Sequence, residues 1–101
     1  MVYEYCLDPH KLESGRKVRF CGKVENIDRI SGVFLLNNGI TKVSCIPSDK
    51  EIVRGVRVGD IVRVFGKVMK ITEESEIEVH FLQKLRMDLR IYNKVVEEFL
   101  R

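Results

Sequence analysis

Two segments of the chain share a pattern in which apolar and polar residues alternate strictly and a glycine stands near the middle. They are residues 17–24, Lys-Val-Arg-Phe-Cys-Gly-Lys-Val, and residues 61–68, Ile-Val-Arg-Val-Phe-Gly-Lys-Val. A period of two is that of a β-strand with one buried face. A glycine inside such a strand marks a bulge or a sharp bend. Because small closed barrels need strands that bend in this way, Gly22 and Gly66 restrict the fold more than any other feature.

A β-hairpin is predicted between these two strands. Residues 33–37 and 40–46 are rich in apolar side chains and are separated by Asn38-Gly39. This residue pair is the best suited to the two positive φ angles of a type I′ turn. The side chains that the alternation places inside the second of these strands are Thr41, Val43 and Cys45. In the first, both faces are apolar, so the alternation does not decide which one is buried.

A fifth strand and a short lead-in complete the predicted barrel. The strand follows an acidic turn at residues 73–76, and its predicted inward-facing side chains are Ile77, Val79 and Phe81. Before the first strand, Asp8-Pro9 is expected to begin a short helical turn with Asp8 as its cap. Five short strands without crossover helices predict an all-β fold, a small closed antiparallel barrel.

The hydrophobic period changes at the end of the chain. At about 100° per residue, the apolar residues from position 89 onward occupy one half of a helical wheel, and Asp88 is well placed as the N-cap. The apolar half comprises Leu89, Ile91, Tyr92, Val95, Val96, Phe99 and Leu100. A helix on a single core needs a stripe of only about 100°. This helix is therefore predicted to contact both its barrel and a second surface, or else to plug the barrel deeply. We divide the chain into a barrel with its lead-in, residues 1–86, and a helix, residues 87–101.

Length and charge restrict the class of protein. The chain has 101 residues, with 18 Lys plus Arg against 15 Asp plus Glu and a net charge of +3, which suits one small domain. Residues 11–23 and 54–70 each carry five basic side chains against one acidic. These segments could converge on one face that attracts a polyanion. Equally, alternating charge simply keeps a small β-protein soluble.

Cysteine usage and the lack of targeting segments indicate the compartment. Three widely spaced cysteines without a C-x-x-C pair argue against a disulfide framework and a zinc site. The sequence has neither a signal peptide nor an apolar run of the roughly 20 residues that a spanning helix needs. We therefore expect an intracellular protein without a membrane partner.

Motifs for catalysis are missing from the sequence. His10 and His80 belong to no recognisable motif, and the common phosphate-binding and nucleophile motifs do not occur. The acidic residues 73–78 are expected to be a solvated turn. We predict no catalytic residue, no metal site, no cofactor and no small-molecule substrate, and an enzyme is the least favoured class.

Two stretches carry a family resemblance. Residues 58–68, Val-Gly-Asp-Ile-Val-Arg-Val-Phe-Gly-Lys-Val, resemble the fourth strand of the OB-fold in replication proteins. Residues 88–96, Asp-Leu-Arg-Ile-Tyr-Asn-Lys-Val-Val, resemble the start of the C-terminal helix of the smallest subunit of replication protein A. Residues 18–27 and 32–36 are similar to the first two strands of that subunit. The sequence departs from the family pattern at residues 47–57 and in its abrupt end.

The resemblance implies a function in assembly. It implies a five-stranded OB-fold barrel followed by a C-terminal amphipathic α-helix. In that family the helix joins helices of the large and middle subunits in a parallel three-helix bundle, in a nuclear complex that binds single-stranded DNA for replication, repair and recombination. The positions of this chain that would form the subunit interface are Leu89, Tyr92, Val95, Val96 and Phe99.

Direct contact with nucleic acid is a separate prediction. OB barrels bind single strands on the outer face of their second and third strands, with aromatic rings on bases and basic groups on phosphates. The candidate residues here are Arg19, Lys23, Phe34, Lys42 and Ser44. Phe34 is equally well explained as a core residue. With so few stacking rings, the isolated chain is expected to bind single-stranded DNA weakly and in a salt-sensitive manner.

Two alternatives remain beside the replication protein A subunit. One is a stand-alone OB-fold protein that binds single-stranded DNA or RNA, which the basic segments would explain. The other is the small OB subunit of a telomere-capping complex, whose barrel is related. The Tyr92-Asn93 pair favours the replication protein A resemblance over the telomeric one.

Overall fold

In the part of the chain that the structure describes, six β-strands form one sheet that closes into a barrel. The computed structural model describes residues 2–71, 74–86 and 94. The strands are β1 (Glu4–Tyr5), β2 (Lys17–Ile27), β3 (Phe34–Asn37), β4 (Lys42–Pro47), β5 (Ile61–Ile71) and β6 (Glu74–Lys84). Their order is β1-β2-β3-β4-β6-β5, and β2 also pairs with β5. The last five strands therefore form a closed barrel, which confirms the predicted OB-type architecture.

The length of β2 allows this closure. Its residues 17–23 pair with β5, and from Lys23 onward it pairs with β3, with a bulge between Val24 and Asn26. One strand thus joins both edges of the sheet. The expectation of an all-antiparallel barrel is wrong, because β4 and β6 pair in parallel. Five strands cannot alternate in direction around a closed ring, so at least one neighbouring pair has to be parallel.

The barrel encloses one apolar core. Its buried side chains are Val18, Phe20, Val24, Phe34, Leu36, Val43, Cys45, Val62, Val64, Val68, Ile77 and Val79 from the barrel strands, with Cys6, Val53 and Val56 from outside them. Val53 and Val56 come from residues 47–57, where the sequence departs from the family pattern. A short 3₁₀ helix, Lys50–Val53, forms there, and the Asp49 side chain caps it by accepting a hydrogen bond from the Glu51 N–H at 3.0 Å.

The two glycines that suggested a barrel, Gly22 and Gly66, have different structural roles. Gly66 lies at a bulge, where the β5–β6 register shifts between Phe65 and Gly66. Gly22 is in regular register opposite Val62, so of the two predicted features, a bulge or a sharp bend, the bulge does not form there. A Cβ at Gly22 would lie 3.1 Å from the Leu36 Cβ. Gly22 therefore allows β3 to approach β2 closely.

The hairpin between β3 and β4 has a longer loop than predicted. Asn37 pairs with Lys42, so four residues connect the strands and the predicted two-residue type I′ turn is wrong. Asn38 is 4% exposed. Its Oδ1 accepts hydrogen bonds from the N–H groups of Ile40 and Thr41 at 3.0 and 2.9 Å, and its Nδ2 donates to the Leu7 carbonyl at 2.8 Å. The Asn38 N–H also donates to the Thr41 carbonyl oxygen at 3.2 Å, so Asn38 holds the loop through both its backbone and its side chain. The predicted burial of Val43 and Cys45 is confirmed.

The predicted phase of the fifth strand is correct only in its first half. Ile77 and Val79 are buried, but Phe81 is 49% exposed. Because Gly66 pairs with Val79 while Phe65 pairs with Phe81, His80 is an extra residue that inverts the alternation. Leu82 then packs against the core instead of Phe81. Residues 74–76 belong to β6 and not to the predicted turn.

The lead-in folds as predicted and also adds a strand. Asp8 caps a 3₁₀ helix, Pro9–Lys11, by accepting a hydrogen bond from the His10 N–H at 3.1 Å. Before it, β1 pairs in parallel with β2. The lead-in covers Cys21, which points out of the barrel but is 2% exposed. The residues that pack around Cys21 are Tyr5, Leu7, Ile61 and Leu85.

Apart from Lys94, which is helical and exposed, the predicted C-terminal helix lies outside the described residues, and so do its interface residues Leu89, Tyr92, Val95, Val96 and Phe99. The boundary at residues 86 and 87 therefore stays a prediction. Within residues 2–71 and 74–86, no helix has the length and apolar character needed to cross a membrane.

Candidate nucleic-acid interface

Two shallow grooves lie on the outer surface of β3 and β4, where an OB barrel is expected to bind a single strand. One has a volume of about 290 Å³ and is lined by Asn26, Asp28, Val33, Phe34, Leu35 and Ser44. The other, of about 260 Å³, is lined by His10, Leu35, Lys42, Ser44, Glu74, Ser75 and Glu76. Lys42 and Ser44 thus lie in the predicted place.

The charge of these grooves is unfavourable for a polyanion. Asp28, Glu74 and Glu76 contribute three carboxylates, against the single ammonium group of Lys42. The N–H groups of Ile30 and Ser31 donate to the Asp28 carboxylate at 2.8 and 3.4 Å and lower its pKa. Asp28 therefore stays ionised at neutral pH and repels phosphate.

The charge of Lys42 is also partly neutralised. Its Nζ lies 3.2 Å from the Glu25 carboxylate, which accepts a further hydrogen bond from Asn37 Nδ2 at 2.7 Å. The Asn37 hydrogen bond and then Lys42 lower the pKa of Glu25. Because Lys23 pairs with Asn37 and Asn37 with Lys42, Lys23 belongs to the same cross-strand row.

Phe34 and Arg19 do not complete this site. Phe34 is 1% exposed and belongs to the core, so it is removed from the candidate residues: a buried ring offers no face to a base. Arg19 lies on the part of β2 that pairs with β5, and its guanidinium carbon is 3.7 Å from the centre of the Tyr5 ring. The predicted set is therefore divided between two surfaces.

The second surface is aromatic and was missed by the sequence analysis. Tyr3, Phe65 and Phe81, which we call the aromatic face, meet on the outside of β5 and β6. The Phe65 and Phe81 rings stack with centroids 4.6 Å apart at 21°, and the Tyr3 ring stands edge-on to each at 5.6 Å. The guanidinium carbon of Arg63 lies 5.5 Å from the Phe65 ring centre.

Part of this surface was readable from the sequence. In residues 61–68 the alternation that buries Val62 and Val64 places Arg63 and Phe65 outside. Phe81 was not readable, because the extra residue at His80 inverts its phase. Tyr3 precedes a two-residue strand that is too short to give a pattern.

The described residues offer no evident metal centre. No three His, Cys, Asp or Glu side chains within the described ranges are grouped so that they could hold an ion. Cys6, Cys21 and Cys45 are free and buried. Loss of solvation raises the pKa of the Cys6 and Cys21 thiols to about 12 and also raises that of Cys45.

Known structures share this fold. Telomere capping protein Ten1 from Schizosaccharomyces pombe superposes with a TM-score of 0.72 at 20% identity, over 91% of this chain and 89% of that one. A chain of U. maydis replication protein A bound to single-stranded DNA gives 0.64 at 20% identity, over 84% and 76%. The hypothetical protein ygiW of E. coli gives 0.63 at 22% identity, over 76% and 83%.

These similarities establish the fold alone, because the identities are low and the proteins are diverse. No protein-family model matches the sequence, and no curated protein matches it either. The barrel fold implied by the resemblance to replication protein A is nevertheless confirmed by these neighbours. Since function is determined by sites and not by folds, the function has to be argued from this chain's own surfaces.

Proposed function

We propose that this chain is an OB-fold subunit of a complex that binds single-stranded DNA, of the replication protein A type. Residues 87–101 would join the large and middle subunits, with Leu89, Tyr92, Val95, Val96 and Phe99 at the seam. The observation that carries the proposal is the barrel core, which the described residues already fill, so that the apolar half of the helical wheel predicted for residues 87–101 needs another surface to cover it. The proposal includes a nuclear location, a function in replication, repair and recombination, and no catalysis.

The filled barrel supports assembly over plugging. Val53 and Val56 are 6% and 1% exposed and come from the segment connecting β4 and β5, which already contributes to the core. A second apolar element inside the barrel would overpack this core. The apolar face predicted for residues 87–101 is therefore better explained by contact with other chains. The acidic β3–β4 grooves also support assembly over strong DNA binding at the usual place.

A telomere-capping subunit is the second candidate. The superposition on Ten1 covers 91% of the chain with a TM-score of 0.72, and a complex of Stn1 and Ten1 also matches, with a TM-score of 0.62. The two proposals share the barrel and differ in the partner chains. The identity of the partners therefore separates them.

We expect the tagged chain, purified from its own cells, to recover a large and a middle single-strand-binding subunit. Tyr92→Ala combined with Phe99→Ala should reduce this recovery at least tenfold, because aromatic anchors at the centre of an interface each contribute about 2 kcal/mol or more. The matched control is Ile30→Ala with Ile40→Ala, which truncates two exposed apolar side chains on the barrel loops. Partners are identified by mass spectrometry.

Other recoveries contradict the first proposal in distinct ways. Recovery of a telomeric partner would establish the second candidate. Recovery of nucleic acid without protein partners, unchanged by the double substitution, would indicate a stand-alone binding protein. Thermal melting of both variants, with midpoints near that of the wild type, ensures that lost recovery reflects the interface and not unfolding.

A further inference from the structure

We propose that the aromatic face, Tyr3, Phe65 and Phe81, is a stacking site for single-stranded nucleic acid, on a different side of the barrel from the β3–β4 grooves. The proposal takes its ligand from the proposed function but rests on separate residues.

The Phe65 and Phe81 rings form a stack that is partly open to solvent at Phe81. Phe65 and Phe81 lie directly opposite each other on neighbouring strands, and their rings stack at 4.6 Å and 21°. Tyr3 supports both rings from the edge at 81° and 84°. Phe81 is 49% exposed, although the rings of Tyr3 and Phe65 contact it. A base that stacks on Phe81 would extend an ordered π-stack without having to order a mobile side chain.

Three cross-strand rows place basic groups on both sides of these rings. Directly opposite residues on paired strands share a face. The rows run Cys21–Arg63–Gln83, Arg19–Phe65–Phe81 and Lys17–Lys67–Glu78. The surface therefore contains four basic side chains and one acidic one. That acidic side chain, Glu78, has an oxygen 3.1 Å from His80 Nε2.

Neighbouring side chains hold the guanidinium groups of Arg19 and Arg63 in place. The Arg19 guanidinium carbon lies 3.7 Å from the Tyr5 ring centre. Arg63 donates to Gln83 Oε1 at 2.6 Å and lies against Phe65. Both guanidinium groups thus lie close to rings of the outer surface, and little side-chain freedom remains to be lost when a phosphate binds.

Charge favours nucleic acid over a protein partner. Sites for single strands combine rings on which bases stack with basic groups that follow the backbone, and each stacked base contributes about 1–3 kcal/mol. The core of a protein interface is depleted in lysine, whereas Lys17 and Lys67 flank the rings here. The β3–β4 grooves have the opposite character, since their described lining has three carboxylates, one ammonium group and no exposed Phe, Tyr or Trp ring.

The test is the fluorescence anisotropy of a labelled oligodeoxythymidine titrated with the full chain at about 20 mM and about 200 mM salt. We expect weak binding that decreases with salt, since phosphate contacts dominate the affinity. Phe81→Leu should weaken it about tenfold and Phe81→Tyr should leave it close to the wild type, because stacking needs the ring and not the surface area. Arg63→Gln should weaken it severalfold and reduce the salt slope by about one.

Lys42→Gln on the β3–β4 surface tests the competing site, and we expect it to weaken binding far less than Phe81→Leu does. If Lys42→Gln weakens binding while Phe81→Leu does not, the grooves are the site and the proposal is wrong. It is also wrong if the wild-type chain does not bind at the lower salt concentration, or if Phe81→Leu abolishes only the recovery of a protein partner. None of these outcomes depends on Tyr92 and Phe99, so failure here is distinguishable from failure of the proposed assembly.

Discussion

Gly66→Ala is expected to destabilise the barrel by about 3 kcal/mol or more, at the upper end of what overpacking costs. A Cβ at this position would collide with the Glu78 carbonyl oxygen, and it would lie 2.9 Å from the Glu78 carbonyl carbon and 3.0 Å from Ile77 Cγ2. The first two atoms are backbone of the neighbouring strand and cannot rotate away. Relief requires β5 and β6 to separate at the bulge. Because small domains have only about 5–15 kcal/mol of stability, this loss is a large share.

The matched comparison is Gly22→Ala. The Cβ would lie 3.1 Å from Leu36 Cβ and 3.2 Å from the Asn37 carbonyl oxygen, contacts that a shift of a few tenths of an ångström can relieve. We expect a cost of about 1–2 kcal/mol there. Urea denaturation followed by circular dichroism measures both variants. Equal costs, or a larger cost at Gly22, would contradict the described geometry of the bulge.

The barrel was predictable because its strands carry a local signal. Alternation in residues 17–24 and 61–68 identifies two strands and their buried side chains directly. Burial of Val43 and Cys45 followed from the same rule. The parallel pairing of β4 with β6 could not be read from the alternation. It results from closing a ring with an odd number of strands, and it changes the sequence pattern of neither strand.

The wrong orientation predicted for Phe81 has its physical cause in the pairing of two strands. A bulge is a relation between two strands, and the extra residue at His80 exists only relative to Gly66. Reading β6 alone, the alternation of Ile77 and Val79 continues to Phe81 and places that ring inside. The exposed ring and the inward-facing Leu82 both follow from the shift. A surface made by such a shift is therefore invisible to any single-strand pattern.

Phe34 illustrates the complementary difficulty. Residues 33–36 are apolar on both faces of the strand. In the structure Leu35 lines the grooves, whereas Phe34 and Leu36 fill the core. When both faces of a strand meet apolar or partly covered surroundings, the period of two carries no information about direction. Tertiary pairing with Cys45 decides the matter.

Alkaline pH is expected to destabilise this protein more strongly than a chain of its size without buried thiols. Burial raises the pKa of Cys6 and of Cys21 to about 12 and raises that of Cys45 as well, whereas an unfolded thiol ionises near pH 8.5. Above that pH the unfolded chain loses protons that the folded chain keeps. The free energy of unfolding therefore keeps its full value below about pH 8.5 and decreases as the pH rises above it. Between pH 8.5 and 10 each thiol that stays protonated in the fold is expected to lower the free energy of unfolding by about 1–2 kcal/mol, and the three losses act in the same direction.

Urea midpoints measured at intervals from pH 7 to about 10, in the presence of a reductant, test this linkage. Cys21→Ala is the informative variant, because Cys21 lies in the small outer cluster and not in the main core. Cys21→Ala should remove about one third of the decrease in the free energy of unfolding at alkaline pH, since one of three titrating thiols is lost. Native thiols should also react far more slowly with a disulfide reagent than thiols in urea, because reaction needs an exposed thiolate. A stability that stays constant to pH 10, or rapid labelling of the native chain, would mean that the thiols are not buried as described, and the packing of the lead-in over Cys21 would then be wrong.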